Sequence, residues 1–182
     1  MNLLTVTNLS AGYAGKQVIK DISFFVAPKT IVGILGANGC GKTTLIKAIA
    51  NLLPHTGSCQ LDDTYLENAS PRQLALLCGY IPQKSGISID LTLLDVVLMG
   101  FNPKLSLLQS PTEQMKKEAF DALCSVGLGS RKDDNFQQLS EGQKQLCLLA
   151  RTFVLKRRLL LLDEPETVSY THLRAHETSL HL

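Results

Sequence analysis

Residues Gly36-Ala37-Asn38-Gly39-Cys40-Gly41-Lys42-Thr43 carry the chemistry most legible in this chain. They follow the apolar run Ile31-Val32-Gly33-Ile34-Leu35 and precede Thr44-Leu45-Ile46-Lys47-Ala48-Ile49-Ala50, which reads as a helix. Strand, glycine-rich turn and helix in this order form a phosphate-binding loop. Small residues at Gly36, Asn38, Gly39, Cys40 and Gly41 let backbone N–H groups converge on phosphate oxygens, and the helix N-terminus beginning near Thr44 adds the positive end of its dipole. Lys42 is placed to reach the β- and γ-phosphates, and the Thr43 hydroxyl to ligate Mg²⁺. The expected ligand is a nucleoside triphosphate, ATP with Mg²⁺.

A second constellation lies near the other end. Leu159-Leu160-Leu161-Leu162 is a buried strand by pattern, and Asp163-Glu164-Pro165 closes it. Two carboxylates at the C-terminal end of a strand stand where open α/β sheets bind ligands. Asp163 can hold Mg²⁺, and Glu164 can polarise an attacking water as general base. A phosphate loop alone would leave kinases, GTPases and many ATPases open. No Asn-Lys-x-Asp guanine reader occurs in the chain.

The elements that must position these residues follow from pattern. Residues 3–35 read as strands, including Leu4–Val6, Val18–Ile22, Phe24–Val26 and the run 31–35. Pro54-His55-Thr56-Gly57 breaks the chain, and Ser58–Leu61 returns as a strand. Ser70-Pro71-Arg72-Gln73 is a capping box with Pro at the first helical position. Tyr80-Ile81 is a short strand. From Lys84 to Gln138 the pattern turns helical. Leu91–Met99 is apolar nearly all round, and Ser110-Pro111-Thr112-Glu113 caps a helix that places Met115, Ala119, Ala122, Leu123 and Val126 on one face and stops near Gly127 and Gly129. Ser140-Glu141-Gly142-Gln143 is a further capping box, opening a helix from Lys144 to Leu155. The expected fold is α/β: a P-loop NTPase core with N-terminal antiparallel strands and an inserted helical subdomain.

With 182 residues and 45% hydrophobic content, the chain suits one domain with a subdomain and a real core. A net charge of +2 gives no basic surface for nucleic acid. No signal sequence or bilayer-length apolar run is evident. The five cysteines, Cys40, Cys59, Cys78, Cys124 and Cys147, form no Cys-x-x-Cys pair, which suits a reducing cytoplasmic setting.

Taken together these residues resemble the nucleotide-binding subunit of an ATP-binding-cassette (ABC) transporter. Besides the phosphate loop and Asp163-Glu164, Leu139-Ser140-Glu141-Gly142-Gln143 is similar to that family's signature Leu-Ser-Gly-Gly-Gln, with Glu141 in place of the first glycine. The resemblance implies that Tyr13 stacks on adenine, that Gln83 senses Mg²⁺ and the γ-phosphate, and that Ser140, Gly142 and Gln143 meet the phosphate of ATP held by a second ATPase subunit in a head-to-tail dimer. The Glu141 carboxylate would repel a nearby γ-phosphate, so its side chain is expected to point away from it. Glu141→Gly should then be tolerated, and Ser140→Arg should abolish turnover while sparing ATP binding. Arg151 is expected to be structural.

The segment Gly79–Gln83, then Leu91–Gly100 with Pro103, resembles importers of iron–siderophore, haem and vitamin B12 complexes. This implies integral membrane permease subunits as partners, a substrate-binding protein acting through them, and a peripheral place on the cytoplasmic face of the membrane. By its apolar pattern the helix at 91–99 is equally a docking surface for a permease or part of the chain's own core. A soluble ABC ATPase without membrane partners, and nucleotide binding without turnover, are the other readings.

The resemblance covers residues 3 to about 166, as an ATP-binding domain with its core at 1–83 and 139–166 and its helical subdomain at 84–138. Beyond Glu166 the family's Ser-x-Leu-Asp loop is missing, and His172, His176 and His181 crowd the last residues. The stretch Val168–Thr178 resembles translated sequencing-adapter readthrough, so 167–182 is expected to be a non-native tail. None of its histidines matches the family's γ-phosphate histidine.

Overall fold

A computed structural model describes residues 2–83, 86–106 and 108–163. Glu164 and the tail from 167 onward, for which the sequence predicts a catalytic base and a non-native segment, lie outside the described residues. Two compact units divide the chain, one of residues 1–80 and one beginning at Ile81.

In the first unit, β1 (Leu4–Tyr13), β2 (Lys16–Val26), β3 (His55–Leu61) and β4 (Thr64–Tyr65) form one antiparallel sheet in the order β2-β1-β3-β4. A two-residue turn joins β1 to β2, with Ala14 and Gly15 both at positive φ (48° and 78°), the geometry that suits the twist of a hairpin. β1 shifts register between Thr7 and Ser10, around Asn8 at φ 49°. Gly57 faces that bulge: a side-chain carbon there would stand 2.4 Å from Asn8 O. Gly57 is therefore not the chain breaker that its sequence context suggests. Strand β3 begins at His55 and runs through it, because only glycine leaves room for the bulged neighbour.

Helix α1 (Lys42–Ile49) turns Leu45, Ile46, Ala48 and Ile49 inward, and Leu4, Val6, Leu9, Cys59 and Leu61 supply buried residues of the sheet. The helix ends at Ala50. Asn51 follows at φ 54°, its N–H donating to Ala48 O and that of Leu52 to Lys47 O. This is a Schellman stop with Asn in the left-handed position.

The expected strand at Ile31–Leu35 does not form. These residues take no strand pairing and all are exposed, Leu35 at 95%. A run apolar on both faces is a central-strand pattern, and it becomes a strand only with ladder partners, which the described residues do not supply.

The second unit packs α3 (Leu93–Leu98), α4 (Glu113–Ser125) and α5 (Glu141–Phe153) around Leu93, Val96, Val97, Phe101, Leu123, Phe136, Leu148 and Leu149. Helix α2 (Pro71–Leu77) precedes it and carries the expected capping box, Ser70 with Gln73. Thr92 and Asp95 form another at α3, which explains why that helix starts at Leu93 within the apolar run 91–99. Leu93, Val96 and Val97 are fully buried in the unit's own core. The cap of α4 is Thr112, whose Oγ1 accepts from Met115 N–H, and not Ser110 as the Ser-Pro-Thr-Glu pattern suggests. Pro suits the first helical position, but here Thr112 lies two residues closer to the first buried face and leaves Ser110 and Pro111 outside. The predicted stop holds: Gly127 at φ 77° lets its N–H and that of Leu128 close on Cys124 O and Leu123 O.

Two further short strands are β5 (Cys78–Ile81) and β6 (Leu159–Leu162), and in the second unit Asp163 N–H donates to Ile81 O at 3.0 Å. No helix among the described residues is long and apolar enough to cross a membrane.

Candidate nucleotide site

In the first unit the phosphate loop closes on its own lysine. Lys42 Nζ donates to Gly36 O (3.0 Å) and Ala37 O (3.1 Å), and Cys40 N–H donates to Ala37 O (3.3 Å). The ammonium thus sits in the ring of the loop, at the start of α1, where added negative charge is favoured by both the lysine and the helix dipole. Gly41 caps α1 in the left-handed region at φ 102°, with no side-chain cap. The missing cap side chain matters, because a side-chain acceptor at that position would compete for the N–H groups that a phosphate needs. Thr43 is half-buried and Thr44 buried at the helix start.

Gly41 also lies against β2: a side-chain carbon there would stand 2.8 Å from Ile19 Cγ2 and 3.2 Å from Val18 Cγ1. The β1–β2 hairpin therefore packs on the loop. Its tip presents Tyr13, 44% exposed and paired with Lys16. Cys40 is an exposed thiol, and Gly36 leaves room for its sulfur.

The second unit carries four further predicted residues, Gln83, Ser140, Gln143 and Asp163. Asp163 is 4% exposed at the end of β6. Gln83, two residues past β5, is exposed, and its carbonyl accepts a hydrogen bond from Gln145 Nε2 at 3.0 Å. At the signature, Ser140 Oγ accepts from Gln143 N–H (3.3 Å) and Gln143 Oε1 from Ser140 N–H (3.2 Å), the reciprocal cap expected there. The helix it caps starts at Glu141, earlier than the expected Lys144, because the cap itself sets the first turn. Glu141 is turned along the helix to Lys144 (2.8 Å), with its side chain 74% exposed. Arg151 is partly buried, which lowers its pKa, and its backbone leaves no room for a side chain on Gly100: a carbon there would stand 2.4 Å from Arg151 O. Gln145 was not legible as a functional residue, although its place on the apolar face of α5, 8% exposed, marks a polar group in need of a partner.

A phosphate-cradling loop at a helix start, a buried carboxylate closing a strand, and a capped signature helix define a P-loop nucleotide-binding protein of the ABC kind. The ABC transporter family pattern matches residues 19–167. A Helicobacter pylori protein described as an iron chelatin transport ATP-binding protein is 39% identical over 168 residues, covering 90% of this chain and 65% of its own. The hemin import ATP-binding protein HmuV of Bordetella parapertussis is 36% identical over 171 residues, covering 89% and 64%. Among solved structures, one described as a metal-chelate type ABC transporter in an inward-facing conformation superposes with a TM-score of 0.76 at 26% identity, over 98% of this chain and 66% of that one. The ATP-binding cassette MJ1267 gives a TM-score of 0.85 at 24% identity, over 98% and 78%, and shows the fold. The chain belongs to the ABC transporter family. It spans 64–65% of the length of these curated relatives.

Proposed function

We propose that this chain binds ATP and takes part in its hydrolysis as the ATPase subunit of an ABC importer for an iron complex or a related metal chelate. The observation that carries the reading is the phosphate loop closed around Lys42 at the start of α1. The relatives' names, iron chelatin transport and hemin import, support the substrate class. Permease subunits, a substrate-binding protein and a place on the cytoplasmic face of the membrane belong to the same proposal.

Lys42 and the loop N–H groups would hold the β- and γ-phosphates, and Tyr13 at the hairpin tip would stack on adenine. Thr43, Gln83 and Asp163 are the proposed Mg²⁺ ligands; their hydroxyl, amide and carboxylate oxygens are the hard donors that this ion prefers. When bound, the ion would neutralise charge on the phosphate oxygens. Glu164 would take a proton from the attacking water. Ser140 and Gly142 would meet ATP bound by a second, head-to-tail subunit. There the signature helix offers its N-terminus while Glu141 is paired with Lys144.

Phosphate release from Mg·ATP by the chain and its Ser140→Arg variant tests this reading. The expected result is loss of turnover with ATP binding intact. Equal turnover would overturn the dimer-site reading.

A further inference from the structure

Gln145 is the polar exception on the buried face of α5. It shares that face with Leu148, Leu149 and Thr152 and is 8% exposed. An amide in such a place is tolerated only when its hydrogen bonds are made. Its Nε2 donates to the backbone carbonyl of Gln83, 62 residues away in sequence. A second amide repeats the pattern from the other side of the signature: Gln137 Nε2 donates to Ile87 O. At the other end of the same stretch, Ile81 O accepts from Asp163 N–H.

Three carbonyls, of Ile81, Gln83 and Ile87, are thus held by Asp163 itself and by two glutamines, Gln145 and Gln137, on either side of the Ser140 cap. All three bonds end on main-chain oxygen. They fix where the Gln83 side chain starts without engaging the side chain itself.

We infer that Gln145 is a positioning residue: its buried amide ties the main chain of Gln83 to the signature helix and so sets where the Gln83 side chain can meet the metal-bound nucleotide. This rests on the proposed role of Gln83. Gln145 itself acts through the Gln83 carbonyl, not through nucleotide or metal. Removing its N–H donor should leave the phosphate loop unaltered and weaken only the part of binding that depends on Gln83.

The test uses the full chain and a fluorescent ATP analogue, titrated with and without Mg²⁺. Gln145→Leu keeps the volume and removes the donor. Gln145→Glu keeps the shape, presents an acceptor to an acceptor, and serves if the leucine variant does not fold, as judged by circular dichroism. Each should cut the Mg²⁺-dependent gain in affinity by about three- to tenfold, the effect of losing one buried hydrogen bond, with metal-free affinity within about twofold of the parent. Gln83→Ala should lose the same gain, and the double variant should lose no more, because both act on one interaction. A Mg²⁺-dependent gain that survives in both Gln145 variants, or losses that add in the double variant, would overturn the inference while leaving the site reading intact. A parent chain that binds no ATP would overturn the site reading instead.

Discussion

Gly41 and Ile19 stand so close that a side-chain carbon on the glycine would come within 2.8 Å of Ile19 Cγ2. The contact joins the phosphate loop to the hairpin whose tip is Tyr13, so the proposed phosphate and adenine contacts share one rigid support. Gly41 has a second reason to be glycine, its φ of 102°.

Gly39 separates the two effects. It also has positive φ, 80°, but open space around it. Gly39→Ala should cost about 1–2 kcal/mol, the left-handed penalty alone. Gly41→Ala should cost a further 1–3 kcal/mol or so, from overpacking against β2. Urea unfolding of both variants checks this, and equal losses would contradict the packing argument.

The hairpin turn offers a stabilising change. Ala14 sits at φ 48° beside Gly15, where a side chain is strained. Ala14→Gly should raise stability by about 0.5–1 kcal/mol, since relief of the strain exceeds the entropy that glycine adds to the unfolded chain. Thermal unfolding should shift upward, with ATP affinity unchanged.

Thiol chemistry should divide by burial. Cys40 and Cys124 are exposed, whereas Cys59 and Cys147 are buried. Cys40 lies against Gly36, whose carbonyl holds Lys42. Alkylation at neutral pH should modify Cys40 and Cys124 and leave Cys59 and Cys147 intact. Modified Cys40 should block nucleotide binding, and full labelling with unchanged ATP affinity would contradict that. Mass mapping of labelled peptides reads the pattern.

The same two buried thiols predict an alkaline limit. Burial pushes each from 9.0 up to about 12; Glu67 and Cys78 add to the rise at Cys59, and Arg151 opposes it at Cys147. Below pH 9 both stay protonated in the folded and unfolded chains. Between pH 9 and 12 the unfolded chain loses protons that the folded one keeps, so stability falls by roughly 1.4 kcal/mol per pH unit for each thiol. Cys147→Ala should flatten the fall between pH 9 and 11 by that amount, measured by urea unfolding across the range.

Much of this site could be read from residue order. The loop announces itself because glycine, lysine and threonine have fixed tasks around a phosphate, and the Ser140–Gln143 cap because its two bonds are local. Local signals also found the stop at Gly127. What failed was non-local. Ile31–Leu35 has a strand's composition but takes no pairing, since a strand is a property of its neighbours. Gly57 reads as a breaker because the bulge at Asn8 that requires it lies about 50 residues away. Gln145 reads as an ordinary helix residue, because its partner, the carbonyl of Gln83, lies 62 residues away in sequence.

The loop around Lys42 is the proposed ATP site on which the other assignments depend. Titrating the chain and its Lys42→Ala variant with a fluorescent ATP analogue, with circular dichroism of both, tests it most directly. The ammonium bonds only to exposed loop carbonyls, so the variant should keep its fold. Its ATP affinity should fall about tenfold or more, as expected for a charge-assisted phosphate contact. Equal affinity in a folded variant would rule out the Lys42 loop as the ATP site.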